Sequence, residues 1–234
     1  LPEGLFWLMM TGEIPTDDDV RWLSREWMRR SEVPDHVIHS IDHLDNSIHP
    51  MTQFSIAIMA MQCDSIFAHK YEEGVSKSSY WEYMYEDAMN LISRVPIVAA
   101  YIYRKVFFKG EFLYPDRSMD WSANFAHMMG VESPVFKDLM RLYLTIHADH
   151  EGGNASAHTV HLVGSTLSDP YLSLSAGMNA LAGPLHGLAN QEVMDWIYDM
   201  IRDLGTNEPT KDQIADYVKK TLAQGIVVPG YGHA

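Results

Sequence analysis

Six of the twelve histidines, His147, His150, His158, His161, His186 and His233, lie toward the C-terminal end of the 234-residue chain. Imidazole is the side chain that can bind a metal, move a proton or donate to a developing oxyanion near neutral pH. Four of the six crowd around Asp149, Glu151 and the Gly152-Gly153 pair, so a metal site is the first chemistry to test. His150-Glu151-Gly152-Gly153-Asn154 opens like the H-E-x-x-H zinc motif, but Asn154 stands where the second histidine belongs. The two glycines also weaken the helix that motif requires. His158 and His161 can share a helix face, yet no carboxylate is placed to orient them. No metal is therefore expected, and His147, His158 and His161 read as partly buried helix-end residues with satisfied hydrogen bonds. His150 differs: it follows the apolar run Leu139–Ile146, where a helix should end, and the glycines behind it allow a tight turn. That puts its ring at a loop edge, where a donor can face a ligand.

His186 has a sharper local setting. Gly183-Pro184 reads as an N-cap and first helical residue, which places His186 in the first turn of a helix running to Leu204. Unpaired N–H groups and the positive dipole end disfavour an imidazolium there. A neutral imidazole can still donate to a carbonyl oxygen that becomes an enolate. Gly187 beside it is expected to leave room for a ligand; the alternative is a capping or packing histidine. The third constellation is Val227-Val228-Pro229-Gly230-Tyr231-Gly232-His233. An apolar pair followed by Pro-Gly and Gly-His describes a rigid, exposed turn with uncovered main-chain groups. Such a loop can read a planar base through its backbone, or hold His233 beside an anionic substrate.

Other catalytic schemes find little support. There is no P-loop, no dinucleotide fingerprint and no G-x-S-x-G elbow. Cys63, the only cysteine, falls on an apolar helical face with no evident base, and a single cysteine permits neither an internal disulfide nor a CxxC zinc site.

The elements that must position these residues are helices. Thr16 precedes three aspartates suited to the positive end of a helix, followed by Val20, Leu23 and Trp27 at helical spacing. Further helices are expected over Pro50–Gln62, Tyr80–Ile92, Ile97–Phe107 (the last two broken at Pro96) and Asp120–Met129, which stops at Gly130. Ser133-Pro134 and Asp169-Pro170 are N-cap signals for Val135–His147 and Tyr171–Leu181. Thr210 and Gln213 form a capping box for a helix that Gly225 ends. About ten helices and no alternating strand pattern make the chain all-α. Ser173–Gly183 is rich in small residues and reads as a tightly packed core helix, with a subunit contact as the alternative, and a domain boundary falls near Gly183–Gly187.

Composition bounds the remaining possibilities. An apolar fraction of 47% with 11% aromatics excludes a disordered acidic tail. A net charge of −14 argues against binding nucleic-acid backbones or an anionic membrane. The longest apolar run, Val95–Tyr103, is about half of the roughly 20 residues a spanning helix needs. Leu1-Pro2-Glu3-Gly4 carries no basic leader, and the chain stops just after Gly-Tyr-Gly-His, so it is expected to be a piece of a longer polypeptide.

At His147-Ala148-Asp149-His150-Glu151-Gly152-Gly153-Asn154, at Leu181-Ala182-Gly183-Pro184-Leu185-His186-Gly187-Leu188-Ala189-Asn190, and at Val227–Ala234 the sequence resembles citrate synthase of the eukaryotic mitochondrial type. Leu1–Thr11, Tyr80–Asp87 and Asp169-Pro170-Tyr171 share the likeness, which is weakest over Pro34–Ser79 and Phe108–Asp116. The resemblance implies a multi-helical citrate-synthase-like fold, with a large helical domain over 1–186 and the beginning of a small one over 187–234. It implies a homodimer in the mitochondrial matrix that closes over acetyl-CoA and oxaloacetate, with no cofactor beyond the substrates. By the same resemblance His150 binds oxaloacetate, His186 hydrogen-bonds the thioester oxygen, and His233 polarises the oxaloacetate ketone. The backbone of Val227, Val228, Pro229, Gly230, Tyr231 and Gly232 would help recognise the adenine of CoA.

In that family the base is an aspartate further along the chain, followed by arginines that clamp the substrate carboxylates. None of these falls within the 234 residues, so the isolated piece is expected to be inactive and no aspartate here is assigned as base. A 2-methylcitrate synthase using propionyl-CoA is the nearest alternative, since one methyl changes binding by only about 1–3 kcal/mol. A non-catalytic structural or interaction protein with the same fold is the other.

Overall fold

The computed structural model describes residues 1–108, 111–148 and 151–231. Among these residues it contains twelve α-helices, two short 3₁₀ turns and no strand. In order they are α1 (Pro2–Thr11), α2 (Asp17–Arg29), α3 (Asp35–Asp42), α4 (Pro50–Ala60), α5 (Ile66–Glu72), α6 (Tyr80–Phe108), α7 (Trp121–Met128), α8 (Pro134–Ile146), α9 (Ala155–Gly164), α10 (Pro170–Leu181), α11 (Ala189–Leu204) and α12 (Lys211–Ala223). The chain divides into two compact units, Leu1–Asn179 and Ala180–Ala234.

The first unit is organised around α6. Leu91, Val98 and Ile102 of α6 pack with Val37 and Ile41 of α3, Ala57 and Ile58 of α4, Met61, and the fully buried Tyr171 of α10. Another side of α6 supplies Met89 to a cluster with Leu23 and Trp27 of α2. The helix also completes its neighbours' ends. The Asp87 carboxylate accepts hydrogen bonds from Ser65 Oγ (2.7 Å), Ile66 N (2.7 Å) and Phe67 N (3.1 Å) at the start of α5. Lys105 Nζ donates to the carbonyls of Ile41 (2.6 Å) and Leu44 (2.9 Å) at the end of α3. Both charges match the sign of the helix end they meet.

Two helices broken at Pro96 were expected, but α6 runs unbroken through that residue. Proline removes one N–H and orphans the carbonyl four residues back, here Ile92. Trp121 Nε1 donates to Ile92 O at 2.9 Å, so a tertiary hydrogen bond replaces the missing helical one. Sequence reading could not see this partner.

Three of the capping signals hold as written. Thr16 and Asp19 form a capping box at α2, Thr210 and Gln213 another at α12, and Ser133 caps α8. The small-residue stretch is a core helix: Ser173, Ser175 and Gly177 are buried, and Ser175 Oγ lies 2.7 Å from Ser55 Oγ of α4. Each hydroxyl also lies within reach of the other residue's carbonyl, Ser175 Oγ 3.0 Å from Ser55 O and Ser55 Oγ 3.2 Å from Ser175 O. A Cβ at Gly177 would collide with Val160 Cγ2 and lie 3.1 Å from Ser156 O, both on α9.

Within the second unit, α11 and α12 present Trp196 edge-on to Tyr217, with ring centres 5.5 Å apart. Gly205, in the left-handed region at φ +65°, ends α11.

Candidate active site

Among the described residues, the second unit holds the most informative part of the site. Residues 182–188 form a tight turn between α10 and α11. Gly183 O accepts the N–H groups of His186 (3.0 Å) and Leu188 (3.2 Å), and His186 O accepts the N–H of Ala189 (3.1 Å). The helix therefore begins at Ala189, with Leu188 as its N-cap. This corrects the expected start at Gly183-Pro184: His186 lies in the turn before the helix, and its own N–H is taken by Gly183. Gly187 has a structural role of its own: a Cβ there would lie 2.5 Å from both Leu181 O and Leu181 Cδ1, so the glycine lets the turn close against Leu181. Leu185 is 99% exposed while His186 is half-buried.

The Val227–Tyr231 segment approaches the same helix. Gly225 (φ +74°) ends the α12 region, and Ile226 N donates to Thr221 O at 3.2 Å. Val228 is the segment's apolar anchor at 7% exposed, whereas Val227 and Tyr231 point outward. Gly230 has φ +86°, and a Cβ on it would stand 2.9 Å from Val193 Cγ2 on the second turn of α11. Two motifs more than forty residues apart in sequence thus meet the same end of one helix. His150, Gly232 and His233 lie outside the described residues.

The remaining histidines are corrected in their exposure. His147, His158 and His161 are all exposed. His147 keeps a hydrogen-bonded ring, with Nδ1 2.8 Å from Tyr143 O and its ring 4.1 Å from that of Tyr143. Asn154, out of place as a zinc ligand, is the N-cap of α9: its Oδ1 accepts from Ser156 N at 3.1 Å. Among the described residues no group of three His, Cys, Asp or Glu side chains is arranged to hold a metal ion. Cys63 sits exposed in the Met61–Asp64 turn, not on an apolar helix face, and its Sγ is 3.3 Å from His36 Nε2. That nitrogen is also 2.9 Å from Ala60 O, so it serves as a donor to the carbonyl and not as a base for the thiol.

A cleft of about 1360 Å³ in the first unit lies between α2, α6 and the 111–120 segment, with Arg21, Arg25, Arg29 and Arg117 among its lining residues. Arg21 and Arg29 are already engaged with Asp18 and Glu26. Among the described residues, none of the histidines singled out from sequence lines it. No helix among the described residues is long and apolar enough to cross a membrane.

The family model for the citrate synthase C-terminal domain matches residues 2–234. The chain belongs to the citrate synthase family. It is 57% identical over its whole length to a probable mitochondrial citrate synthase of Glossina morsitans morsitans, and 56% identical to the mitochondrial citrate synthase of Daucus carota. It covers 50% and 49% of those proteins, and so spans about half the length of the curated relatives it matches. Solved citrate synthases share the fold. The Thermoplasma acidophilum enzyme, captured with carboxymethyl coenzyme A and oxaloacetate, superposes with a TM-score of 0.81 at 23% identity, covering 99% of this chain and 57% of that one. The Pyrobaculum aerophilum enzyme gives 0.75 at 27% identity, covering 93% of this chain and 61% of that one. The all-α citrate synthase fold expected from sequence is the one observed.

Proposed function

We propose that the chain is part of a mitochondrial citrate synthase that condenses acetyl-CoA, oxaloacetate and water to citrate and CoA. The observation that carries this reading is the identity of 55–57% along the whole chain to animal citrate synthases named mitochondrial. The half-buried imidazole of His186, in a turn closed by Gly187, supports a fixed hydrogen-bond donor. In this reading His186 donates to the thioester oxygen as a carboxylate base, outside these 234 residues, removes a methyl proton. Because the methyl is a very weak acid, a positioned donor at the developing enolate oxygen lowers the barrier directly. The enolate carbon then bonds to the ketone carbon of oxaloacetate, whose oxygen His233 polarises while His150 holds the substrate. Water cleaves the citryl thioester and CoA leaves as the thiol. The Val227–Gly232 backbone reads the adenine of CoA.

The domain assignment, 1–186 large and 187–234 the beginning of the small one, belongs to the same proposal, as does domain closure that excludes water from the intermediate. So does a homodimer. The outer face of α8 supports a further protein surface: Val135 is 78% and Ile146 64% exposed, with Leu139, Leu142 and Tyr143 also exposed between them. A contiguous apolar stripe of this kind marks an interaction surface.

The test is thiol release by the full-length protein given both substrates. The reading requires saturable CoA release that depends on oxaloacetate, and His186→Ala should lower kcat by about 100-fold or more. No release from a folded full-length protein sinks it. Faster turnover of propionyl-CoA than of acetyl-CoA would transfer the assignment to a 2-methylcitrate synthase.

A further inference from the structure

We infer that Val193 is a positioning residue for the coenzyme end of the site, fixing through Gly230 how far the Val227–Tyr231 segment stands from the His186 turn. The inference rests on the citrate synthase reading and extends it to a residue outside the three histidine motifs. α11 begins three residues after His186, and Val193 lies one turn further along the same helix. At Gly230 the backbone approaches Val193 so closely that a Cβ would stand 2.9 Å from its Cγ2, in a φ of +86° that side chains rarely adopt. The main chain therefore rests against a methyl group with no side chain between them.

A β-branched residue in a helix has one dominant rotamer, so the α11 backbone fixes that methyl. The same backbone carries His186, whose carbonyl accepts the first N–H of the helix at 3.1 Å. Val228, buried two residues before Gly230, pins the segment, leaving the Val193 contact to set its height. A thioester held at its adenine end by the segment's main chain delivers its carbonyl to His186 only if that spacing is kept, because reacting groups tolerate little misplacement.

The experiment is steady-state kinetics on the full-length protein with each substrate varied separately. For Val193→Ala the KM for acetyl-CoA should rise by about 3- to 10-fold, with the KM for oxaloacetate and kcat within about twofold of the parent. Val193→Thr, which keeps the β-branch and sets a hydroxyl of similar size where Cγ2 stands, should keep the parental KM. Should Val193→Ala fail to fold, Val193→Leu carries the same comparison, since it retains burial but moves the branch point outward. An unchanged KM for acetyl-CoA, equal effects of Ala and Thr, or a joint fall of kcat and both affinities with the melting temperature overturns the role of Val193. A parental protein that releases no thiol overturns the citrate synthase reading itself, so the two failures are told apart.

Discussion

Two residues show how single atoms decide local structure here. Trp121 hydrogen-bonds the carbonyl that Pro96 orphans, which lets α6 pass through a proline. Trp121→Phe keeps the ring but leaves Ile92 O without this donor, and should cost about 1–3 kcal/mol in urea unfolding. A loss indistinguishable from zero would mean water replaces the indole. Gly187 is the second case. A methyl there meets the Leu181 carbonyl at 2.5 Å, a backbone atom that cannot rotate away. Gly187→Ala should open the turn, and in the full-length protein kcat should fall by at least tenfold, because the imidazole leaves its place. Retained kcat would show that the turn absorbs the methyl.

Between elements, α2 is tied to α6 by a network that sets an acid limit on stability. Glu26 accepts from Arg29 Nη2 and Arg30 Nε, both at 2.6 Å, and Arg30 reaches Glu86 of α6 at 2.7 Å. The hydrogen bonds from Arg29, opposed by burial and reinforced by Arg30, hold the Glu26 carboxyl down at about 2, from an ordinary value of 4.5. A depressed carboxyl contributes stability that is present above its unfolded value and lost as pH falls through its folded one. Its share should therefore disappear between about pH 4.5 and 2. Glu26→Gln should flatten that limb of the stability–pH curve and cost about 1–2 kcal/mol at neutral pH, discounted for partial exposure. An unaltered acid limb would remove Glu26 from the account. The α9–α10 contact makes a steric prediction. Gly177→Ala forces its methyl onto Val160 Cγ2 and should cost about 1–3 kcal/mol. Adding Val160→Ala should recover part of that loss, whereas additive losses would place the strain elsewhere.

For the whole molecule, the chain spans about half the length of its relatives, and the proposed reading assigns the carboxylate base to none of its residues. Residues 1–234 purified alone should therefore release CoA thiol at no more than background, while the full-length protein turns over. Turnover by the piece at a rate near that of the full-length protein would put a base among these residues. The net charge of −14 does not by itself oppose an anionic ligand, since binding depends on the local field, not on the sum over the surface.

Local signals carried far in this sequence because they are read by neighbours in the chain. Thr16 with Asp19, Thr210 with Gln213, and Ser133 before Pro134 each complete a helix start with atoms three residues away, so short-range chemistry determined them. The helical period fixed the all-α class for the same reason. The three histidine motifs, in their order along the chain, carried the resemblance to the family. Pro96 was misread because it is governed by a group that sequence does not bring near, the indole of Trp121, and Cys63 because the chain turns at Met61–Asp64 where a helix face was expected. Only the tertiary structure could show that His186 sits in a turn before its helix, or that Gly230 lies against Val193, because close packing between segments depends on the path of the chain and not on its local composition.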